Sequence, residues 1–369
     1  MEDWLASSKD SCRYNLGESG MPDIRLGTLL ERCGETPETL SGIVLKDHDT
    51  RGTDRLRSAI ASTYDADVPF ESITVTTGTS EALFILFNLL LENRTAVVAP
   101  FPAFQALYEV PRALGAEVRF YRVAVAAGFI PDADEVCSLI DDTTGVVVIN
   151  TPHNPSGVIV PDDVADRIIE KAAFHGATVL SDEHYRFLPI HREVRAEYIQ
   201  PLSSLARPSG HVVATGSITK CFGLIGLRVG WIVAPEPLIA RIRDFRDYLT
   251  HTLSPLSDYC AALALEHARS FIEPACAVLK ENIGQLISAA GTIEGLSLVE
   301  PGGGVVAFPR YIYPLSSSDF AGRLIEKHSV FVLPGSSFET EGHFRINLGQ
   351  DPAVFSEALV QIRSFCSTL

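Results

Sequence analysis

A lysine followed at short range by an arginine is the first feature of this 369-residue chain that could do chemistry. Lys220 comes three residues after Ser217 and eight before Arg228, just past the apolar run 212–215. A lysine at the end of a buried strand is shielded from water, and a desolvated amine is suited to form a Schiff base with a carbonyl compound. The same Ser-x-x-Lys spacing occurs in acyl-transferring serine enzymes, in which Ser217 would be the nucleophile. Residues elsewhere in the chain favour the Schiff base.

A second group of residues is suited to hold a phosphate. Gly78, Thr79 and Ser80 follow the β-rich run 73–76 and open a helical pattern that continues through residues 83–91. Glycine lets the backbone turn tightly, and the free N–H groups of a first helical turn, together with the helix dipole, attract a dianion. An ordinary capped helix start has the same pattern, so this segment alone leaves both interpretations open.

Polar residues also follow two apolar strands. Asn154 comes after the strand 146–149, and Asp182 and Tyr185 come after the strand 177–180. A buried carboxylate needs a partner that offsets its desolvation, so Asp182 predicts a cation beside it. The proline- and glycine-containing segment around Asn154 is equally typical of a plain turn.

An arginine near the C-terminus is suited to bind a carboxylate. Arg345 lies in an alternating apolar segment, 342–348, and faces inward only if it meets an anion there. Its planar guanidinium matches a carboxylate through two hydrogen bonds. An arginine on an edge strand, paired with a surface acid, is the alternative. Phe104, which follows Pro100 and Pro102, is suited either to a plain core position or to stacking on a ring.

Together these motifs resemble the fold-type I pyridoxal-phosphate (PLP) enzymes of the aspartate aminotransferase superfamily. The Ser-x-x-Lys, Asn-Pro-x-Gly and Asp-Glu-x-Tyr patterns and the late arginine occur in that family's order, over about residues 73–345. The resemblance implies that Lys220 holds PLP as a Schiff base, passes it to the substrate amine and then removes the α-proton. It also implies that Asp182 pairs with the pyridinium nitrogen, and that Asn154 and Tyr185 bond to the phenolate oxygen.

The resemblance assigns the remaining site residues as well. Arg345 is expected to hold the α-carboxylate of an amino acid, with Asn154 beside it, and Phe104 to stack on the PLP ring. His184 occupies a place that is often apolar in this family, and we interpret it as a packed histidine. The phosphate is expected to be bound by Gly78, Thr79, Ser80, Ser217 and Arg228.

Short apolar strands alternate with helical patterns between about residues 73 and 235. Such alternation predicts an α/β fold with a mainly parallel sheet covered on both faces, and ligands bind outside the carboxyl ends of such strands. The family's fold adds a seven-stranded type of sheet and a small C-terminal α/β domain. We expect an N-terminal arm that covers the active site (1–40), a large PLP-binding domain (41–284) and a small domain (285–369).

The composition of the chain limits the kinds of partner and the compartment that are expected. The net charge of −16 argues against nucleic acid, whose phosphates need a basic footprint. No apolar run is long enough to span a membrane, the first residues lack the apolar core of a secretory signal, and the seven cysteines include no CxxC pair. The chain is therefore predicted to be a cytoplasmic enzyme with no metal site. Because the resembled family builds its sites at a subunit interface, we expect a homodimer.

One departure from the family's pattern limits which of the family's reactions are expected. Many members carry a tyrosine that reaches the partner's phosphate, but the corresponding segment, 45–52, has none, and Lys46 or His48 is expected to replace it. This absence is shared with capreomycidine-synthase-like cyclases, PLP enzymes that act on a hydroxylated arginine, and with related arginine oxidases. Four further segments carry the same resemblance: 246–250, 253–256, 264–268 and 307–310.

The favoured reaction is elimination of the hydroxyl group of a hydroxylated arginine followed by ring closure through its guanidine, in specialised metabolite biosynthesis. An amino acid:2-oxo acid aminotransferase and a PLP-dependent arginine oxidase are the alternatives. Glu18, in the N-terminal arm, is expected to bind the guanidinium, although a glutamate there could also be simply solvated. A PLP-sensing regulator would need a DNA-binding domain, and residues 1–72 lack a basic helix-turn-helix pattern.

Overall fold

A computed structural model describes residues 1–8, 12–64, 68–190, 204–206 and 210–369. In the described residues the helices are α1 Glu2–Ser8, α2 Leu26–Arg32, α3 Pro37–Ser41, α4 Asp54–Ala61, α5 Thr79–Leu90, α6 Ala106–Ala113, α7 Ala133–Ser138, α8 Asp162–Phe174, α9 Glu236–Arg246, α10 Pro255–Glu266, α11 Ala268–Ala290, α12 Ser317–His328 and α13 Pro352–Cys366. The strands are β1 Tyr14–Asn15, β2 Ile73–Thr76, β3 Ala96–Phe101, β4 Glu117–Arg122, β5 Thr144–Asn150, β6 Thr178–Asp182, β7 Val212–Ser217, β8 Gly230–Val233, β9 Leu296–Ser297, β10 Val306–Ala307, β11 Arg310–Tyr311, β12 Val330–Phe331, β13 Leu333–Pro334 and β14 Phe344–Asn347.

Seven strands form the central sheet, in the order β2-β8-β7-β6-β5-β3-β4. Strand β8 runs antiparallel to both of its neighbours, and the other pairs are parallel. The predicted mainly parallel sheet is therefore confirmed. Strands β5, β6 and β7 are buried on both faces, which explains their continuous apolar sequences.

Successive side chains of the central strands pack in different hydrophobic cores, one on each face of the sheet. Val97 of β3 packs with residues of α5, α6 and α9, whereas its neighbour Val98 packs with residues of α7 and α8. The same split separates Val146 from Val147 on β5. Because side chains of a strand alternate between the two faces, helices must cover both faces to bury them.

Prolines lie in the first turns of two helices. Helix α9 begins at Glu236 and has Pro237 in its first turn. Helix α10 begins at Pro255 itself. Proline lacks an N–H group that the first turn does not need, so it favours a helix start there.

The C-terminal part is built on a three-stranded antiparallel sheet of order β10-β14-β13. Strand β1, near the N-terminus, runs parallel to β12, with Tyr14 opposite Val330. Helix α11 passes through residue 284, where the boundary between the large and small domains was expected. The division into arm, large domain and small domain remains a proposal. No helix in the described ranges is long and apolar enough to cross a membrane.

Candidate active site

A cavity of about 740 Å³ lies at the carboxyl ends of the parallel strands. The residues singled out from the sequence that line it are Glu18, Thr79, Ser80, Phe104, Asn154, Asp182, Lys220, Arg228 and Arg345. Others complete the lining, among them Met1, Leu5, Ser19, Leu83, His184, Thr219 and Ile225. The fold thus brings into one cavity residues that are spread over most of the chain.

The register of the sheet places three polar residues at one level. Asn150 is opposite Asp182, and Asp182 is opposite Thr215. The Asp182 carboxylate is 1% exposed and accepts hydrogen bonds from the Thr215 hydroxyl (2.9 Å) and the Asn150 amide (3.4 Å). Nδ1 of His184 lies 3.1 Å from the same carboxylate. The carboxylate is therefore buried and oriented, as a partner for a cationic ring nitrogen must be.

Asn154 and Tyr185 lie in the turns that follow β5 and β6. Strand β5 ends at Asn150, so Asn154 lies beyond the strand in the following turn, and its backbone N–H donates to Asn150 Oδ1 (2.7 Å). The Tyr185 hydroxyl donates to the carbonyl of Ser19 (3.0 Å). Burial raises the pKa of Tyr185 above its ordinary value, so its phenol remains a hydrogen-bond donor at neutral pH.

Arg345 faces inward from β14. It is 1% exposed and donates from Nη1 to Asn154 Oδ1 (3.1 Å) and from Nη2 to the carbonyl of Gly17 (2.8 Å). Because β14 is the middle strand of its sheet, the alternative of an edge-strand arginine does not describe it. The guanidinium reaches the cavity, where it can meet a carboxylate.

The turn before α5 is tightly packed against Arg228. Gly78 has φ +96°, and a methyl group added to it would lie 2.7 Å from Arg228 Nη2. A methyl group on Gly230 would lie 2.7 Å from the Gly78 carbonyl carbon. These short distances place the first turn of α5, its N–H groups and the Arg228 guanidinium close together, a combination that is suited to bind an anion.

The hydroxyl groups near Lys220 differ from expectation in their placement. Ser217 is fully buried and its Oγ lies 2.8 Å from Oγ1 of Thr219, which lines the cavity in its place. Ser217 as a phosphate ligand therefore stays a prediction. A buried Ser217 cannot meet an acyl substrate, so the structure gives no support to a serine hydrolase.

A buried ion pair that the sequence interpretation missed joins the turn before α5 to a distant segment. Glu81 accepts from the backbone N–H of Thr77 (2.5 Å) and lies 3.4 Å from Nε of Arg246. Arg246 is fully buried and also donates to the carbonyl of Thr50. The sequence signal for this role was the position of Glu81 as the third residue of α5, where an acidic side chain commonly accepts a hydrogen bond from a backbone N–H at the helix start.

The segment that carries residues 17–21 forms one wall of the site. The carbonyl groups of Glu18 and Gly20 accept from the side-chain amide of Asn347 (3.1 and 2.8 Å), and Met21 N donates to the carbonyl of Lys220 (2.8 Å). The Glu18 side chain is exposed, lines the cavity and accepts from Asn15 Nδ2 (3.2 Å). Asn347, like Asn150 and Thr215, was missed because no local sequence pattern marks it.

The α/β fold is that of fold-type I PLP-dependent enzymes. The family model described as aminotransferase class I and II matches residues 35–362, and the chain belongs to this family.

Several known proteins are similar to it over most of their length. Capreomycidine synthase of Streptomyces vinaceus is 33% identical over 349 residues, which cover 94% of this chain and 88% of that protein. The arginine–pyruvate transaminase AruH of Pseudomonas aeruginosa is 29% identical, with 82% and 78% covered. A crystal structure of the PLP-dependent cyclase OrfR superposes with a TM-score of 0.89 at 28% identity, covering 100% of this chain and 96% of that one.

The chain is a PLP-dependent enzyme, and its residues fit that cofactor. The cavity offers an amine that suits an aldehyde, a buried carboxylate that suits a ring nitrogen and an aromatic side chain that suits a ring face, contributed by Lys220, Asp182 and Phe104. The Gly78 turn and Arg228 are suited to bind the phosphate, and a methyl group added to Gly78 would lie 2.7 Å from the Arg228 guanidinium.

Proposed function

We propose that the chain eliminates the hydroxyl group of a hydroxylated arginine and closes a ring through the guanidine. The similarity to capreomycidine synthase over 94% of the chain carries this proposal, and the similarity to a PLP-dependent cyclase supports it. The site is compatible with such a substrate, because one cavity holds Arg345 for an α-carboxylate and Glu18 for a guanidinium.

Substrate binding follows from the two charged groups. Arg345 is pre-oriented by its bonds to Asn154 and Gly17, so its planar guanidinium can bind the α-carboxylate with little further ordering. Glu18 lies on the wall formed by the N-terminal segment and offers its carboxylate to the guanidinium at the other end of the substrate.

Proton transfer is assigned to Lys220. PLP, when bound, withdraws electrons from the α-carbon of an attached amino acid and makes its α-proton removable. With the cofactor bound to the substrate amine, Nζ of Lys220 would be able to accept that proton. Asp182 would hold the proton on the ring nitrogen, and the Asn154 amide would donate a hydrogen bond to the phenolic oxygen. Tyr185 could donate there only by giving up the bond of its hydroxyl group to the Ser19 carbonyl.

The same lysine can assist departure of the hydroxyl group. Lys220, protonated after it accepts the α-proton, can return a proton to the leaving oxygen, so that water departs as the C–O bond breaks. A guanidine nitrogen would then form a C–N bond at that carbon and lose its own proton to Lys220, which would return a proton to the α-carbon. The net change is the loss of one water molecule, with the α-amino group retained.

Product analysis tests the reaction. The PLP-loaded enzyme is incubated with β- or γ-hydroxylated arginine, and the product is examined by mass spectrometry and NMR. A cyclic product that is lighter by one water molecule and keeps its α-amino group, formed without a 2-oxo acid or oxygen, is expected. A product formed only with a 2-oxo acid would identify an aminotransferase, and oxygen consumption would identify an oxidase.

An arginine aminotransferase is the second candidate, and the 29% identity to an arginine–pyruvate transaminase favours it. The same Arg345 and Glu18 would bind arginine, and Lys220 would return the proton to the cofactor rather than to a leaving group. Formation of alanine from arginine and pyruvate would support this reaction.

We also propose that the enzyme is a homodimer. Arg228 is exposed beside the phosphate turn, and Leu45 and Tyr248 are 80% and 91% exposed on the two segments that Arg246 joins. A second subunit would cover these residues. Lys46 or His48, in the same segment as Leu45, would then replace the missing tyrosine beside the partner's phosphate. Sedimentation should give twice the chain mass of 40.1 kDa, and a sedimentation value for a single chain would contradict the proposal.

A further inference from the structure

His184 makes a contact that its interpretation as a packed histidine does not explain. Its ring is buried, with the residue 7% exposed, yet it lines the active-site cavity. Nδ1 lies 3.1 Å from Asp182 Oδ2, and the ring centroid lies 4.0 Å from that of Tyr185. Because a carboxylate only accepts hydrogen bonds, Nδ1 carries the hydrogen and donates it to Asp182.

The two oxygens of Asp182 are held to different degrees. Oδ1 accepts from the Thr215 hydroxyl at 2.9 Å, a normal hydrogen-bond distance. Oδ2 receives the Asn150 amide at 3.4 Å, which is long, and His184 at 3.1 Å. Removal of His184 would leave Oδ2 with the long bond, and the carboxylate could then turn about its Cβ–Cγ bond.

The backbone fixes the histidine in this position. Its carbonyl oxygen accepts from the Cys221 thiol at 3.2 Å, so the residue that follows Lys220 also supports the residue two positions after Asp182. Two elements that would meet the cofactor on different atoms are thus joined through His184.

We propose that His184 is a positioning residue that orients the Asp182 carboxylate toward the pyridine nitrogen of PLP. The inference rests on the proposed role of Asp182. His184 acts on the cofactor through that carboxylate, so its effect depends on the presence of the ring nitrogen.

Cofactor binding by the full-length chain tests the proposal without measuring turnover. The protein is freed of PLP and titrated with PLP and with its 1-deaza analogue, in which a C–H group replaces the ring nitrogen. Wild type, His184→Leu and His184→Asn are compared by visible absorbance and circular dichroism. Leucine fills the space without a donor, whereas the asparagine amide can donate from nearly the position of Nδ1.

His184→Leu should weaken PLP binding by about tenfold, as expected for a lost hydrogen bond to a charged group, and leave the 1-deaza affinity within about twofold. His184→Asn should restore PLP binding to within about threefold, and with it the dichroism that reports the tilt of the ring. Equal losses for both cofactors, or a folded asparagine variant as weak as the leucine one, would overturn the proposal. If the leucine variant does not fold, the asparagine variant is compared with wild type alone. PLP binding within about threefold of wild type would support the proposal, and a larger loss would overturn it.

The proposed role of Asp182 is tested separately by the wild-type protein. If Asp182 partners the ring nitrogen, wild type binds PLP more tightly than the 1-deaza analogue. Equal affinities of wild type for PLP and for the 1-deaza analogue would contradict that role of Asp182. The proposed role of His184, which depends on it, would then be wrong as well.

Discussion

Substitution of Gly78 by alanine should selectively weaken the phosphate site. Gly78 has φ +96° and ψ 166°, a region that residues with a side chain avoid at a cost of about 1–3 kcal/mol. The added methyl group would also lie 2.7 Å from Arg228 Nη2. To accommodate alanine, the turn must rotate and the guanidinium must move, and both changes disturb groups that face the phosphate.

The size of the effect follows from that strain. If the backbone relaxes when the cofactor is absent, the strain is restored each time PLP binds, and its affinity falls by about 1–3 kcal/mol. At about 1.4 kcal/mol for each factor of ten, the dissociation constant rises roughly 5- to 150-fold. Pyridoxal, which lacks the phosphate, does not use the turn and should bind within about threefold of wild type.

The assay is titration of the cofactor-free protein with PLP and with pyridoxal, followed by visible absorbance. Gly226→Ala is the matched control, because Gly226 lies in the Arg228 loop and an added methyl group there meets no atom within 4 Å. The control should bind both compounds like wild type. Unchanged PLP binding by Gly78→Ala, or an equal loss of pyridoxal binding, would refute the assignment of the phosphate site.

Three other predictions concern His153, a buried residue that precedes Asn154, and two residues that line the cavity. Burial lowers the pKa of His153 from 6.5 to about 4. As pH falls, the unfolded chain therefore protonates this histidine before the folded protein does. The contribution to folding stability that is present above pH 6.5 is lost between pH 6.5 and 4. Urea unfolding at pH 7 and 5 should show wild type losing about 2 kcal/mol more than His153→Gln, and equal losses would contradict this. Arg345→Lys should raise KM for the amino acid about 10- to 100-fold while leaving PLP affinity unchanged, since lysine cannot make the bidentate contact, and an unchanged KM would exclude the carboxylate role. Phe104→Leu should weaken PLP binding about 2- to 10-fold through lost stacking, and undiminished affinity in a titration would show that the ring does not stack.

Local sequence patterns were sufficient for the strands and for several chemical groups. The apolar runs before Gly78, Asn154 and Asp182 mark strands whose ends meet at one edge of a parallel sheet. An inward arginine on an alternating strand, Arg345, could be predicted because an unpaired buried charge is too costly to occur without a partner.

The neighbours of these groups could not be predicted from local patterns. Asn150, Asp182 and Thr215 come level only through the pairing of three strands, which depends on contacts far apart in the chain. The wall formed by residues 17–21 has no regular periodicity, and its contact with Arg345 joins residues that are 328 positions apart. Thr219 replaces Ser217 at the cavity because the chain leaves the strand at Ser217, where strand alternation no longer predicts direction.

Identification of the lysine that holds PLP is the measurement to make first. The PLP-loaded protein is reduced with borohydride, digested and mapped by mass spectrometry, with a Lys220→Ala variant treated in parallel. We predict that the reduced cofactor is found on the peptide that contains Lys220, and that the variant has neither the label nor the visible band of wild type. Label on a different lysine, or a variant that is labelled and coloured like wild type, would contradict the assignment of Lys220.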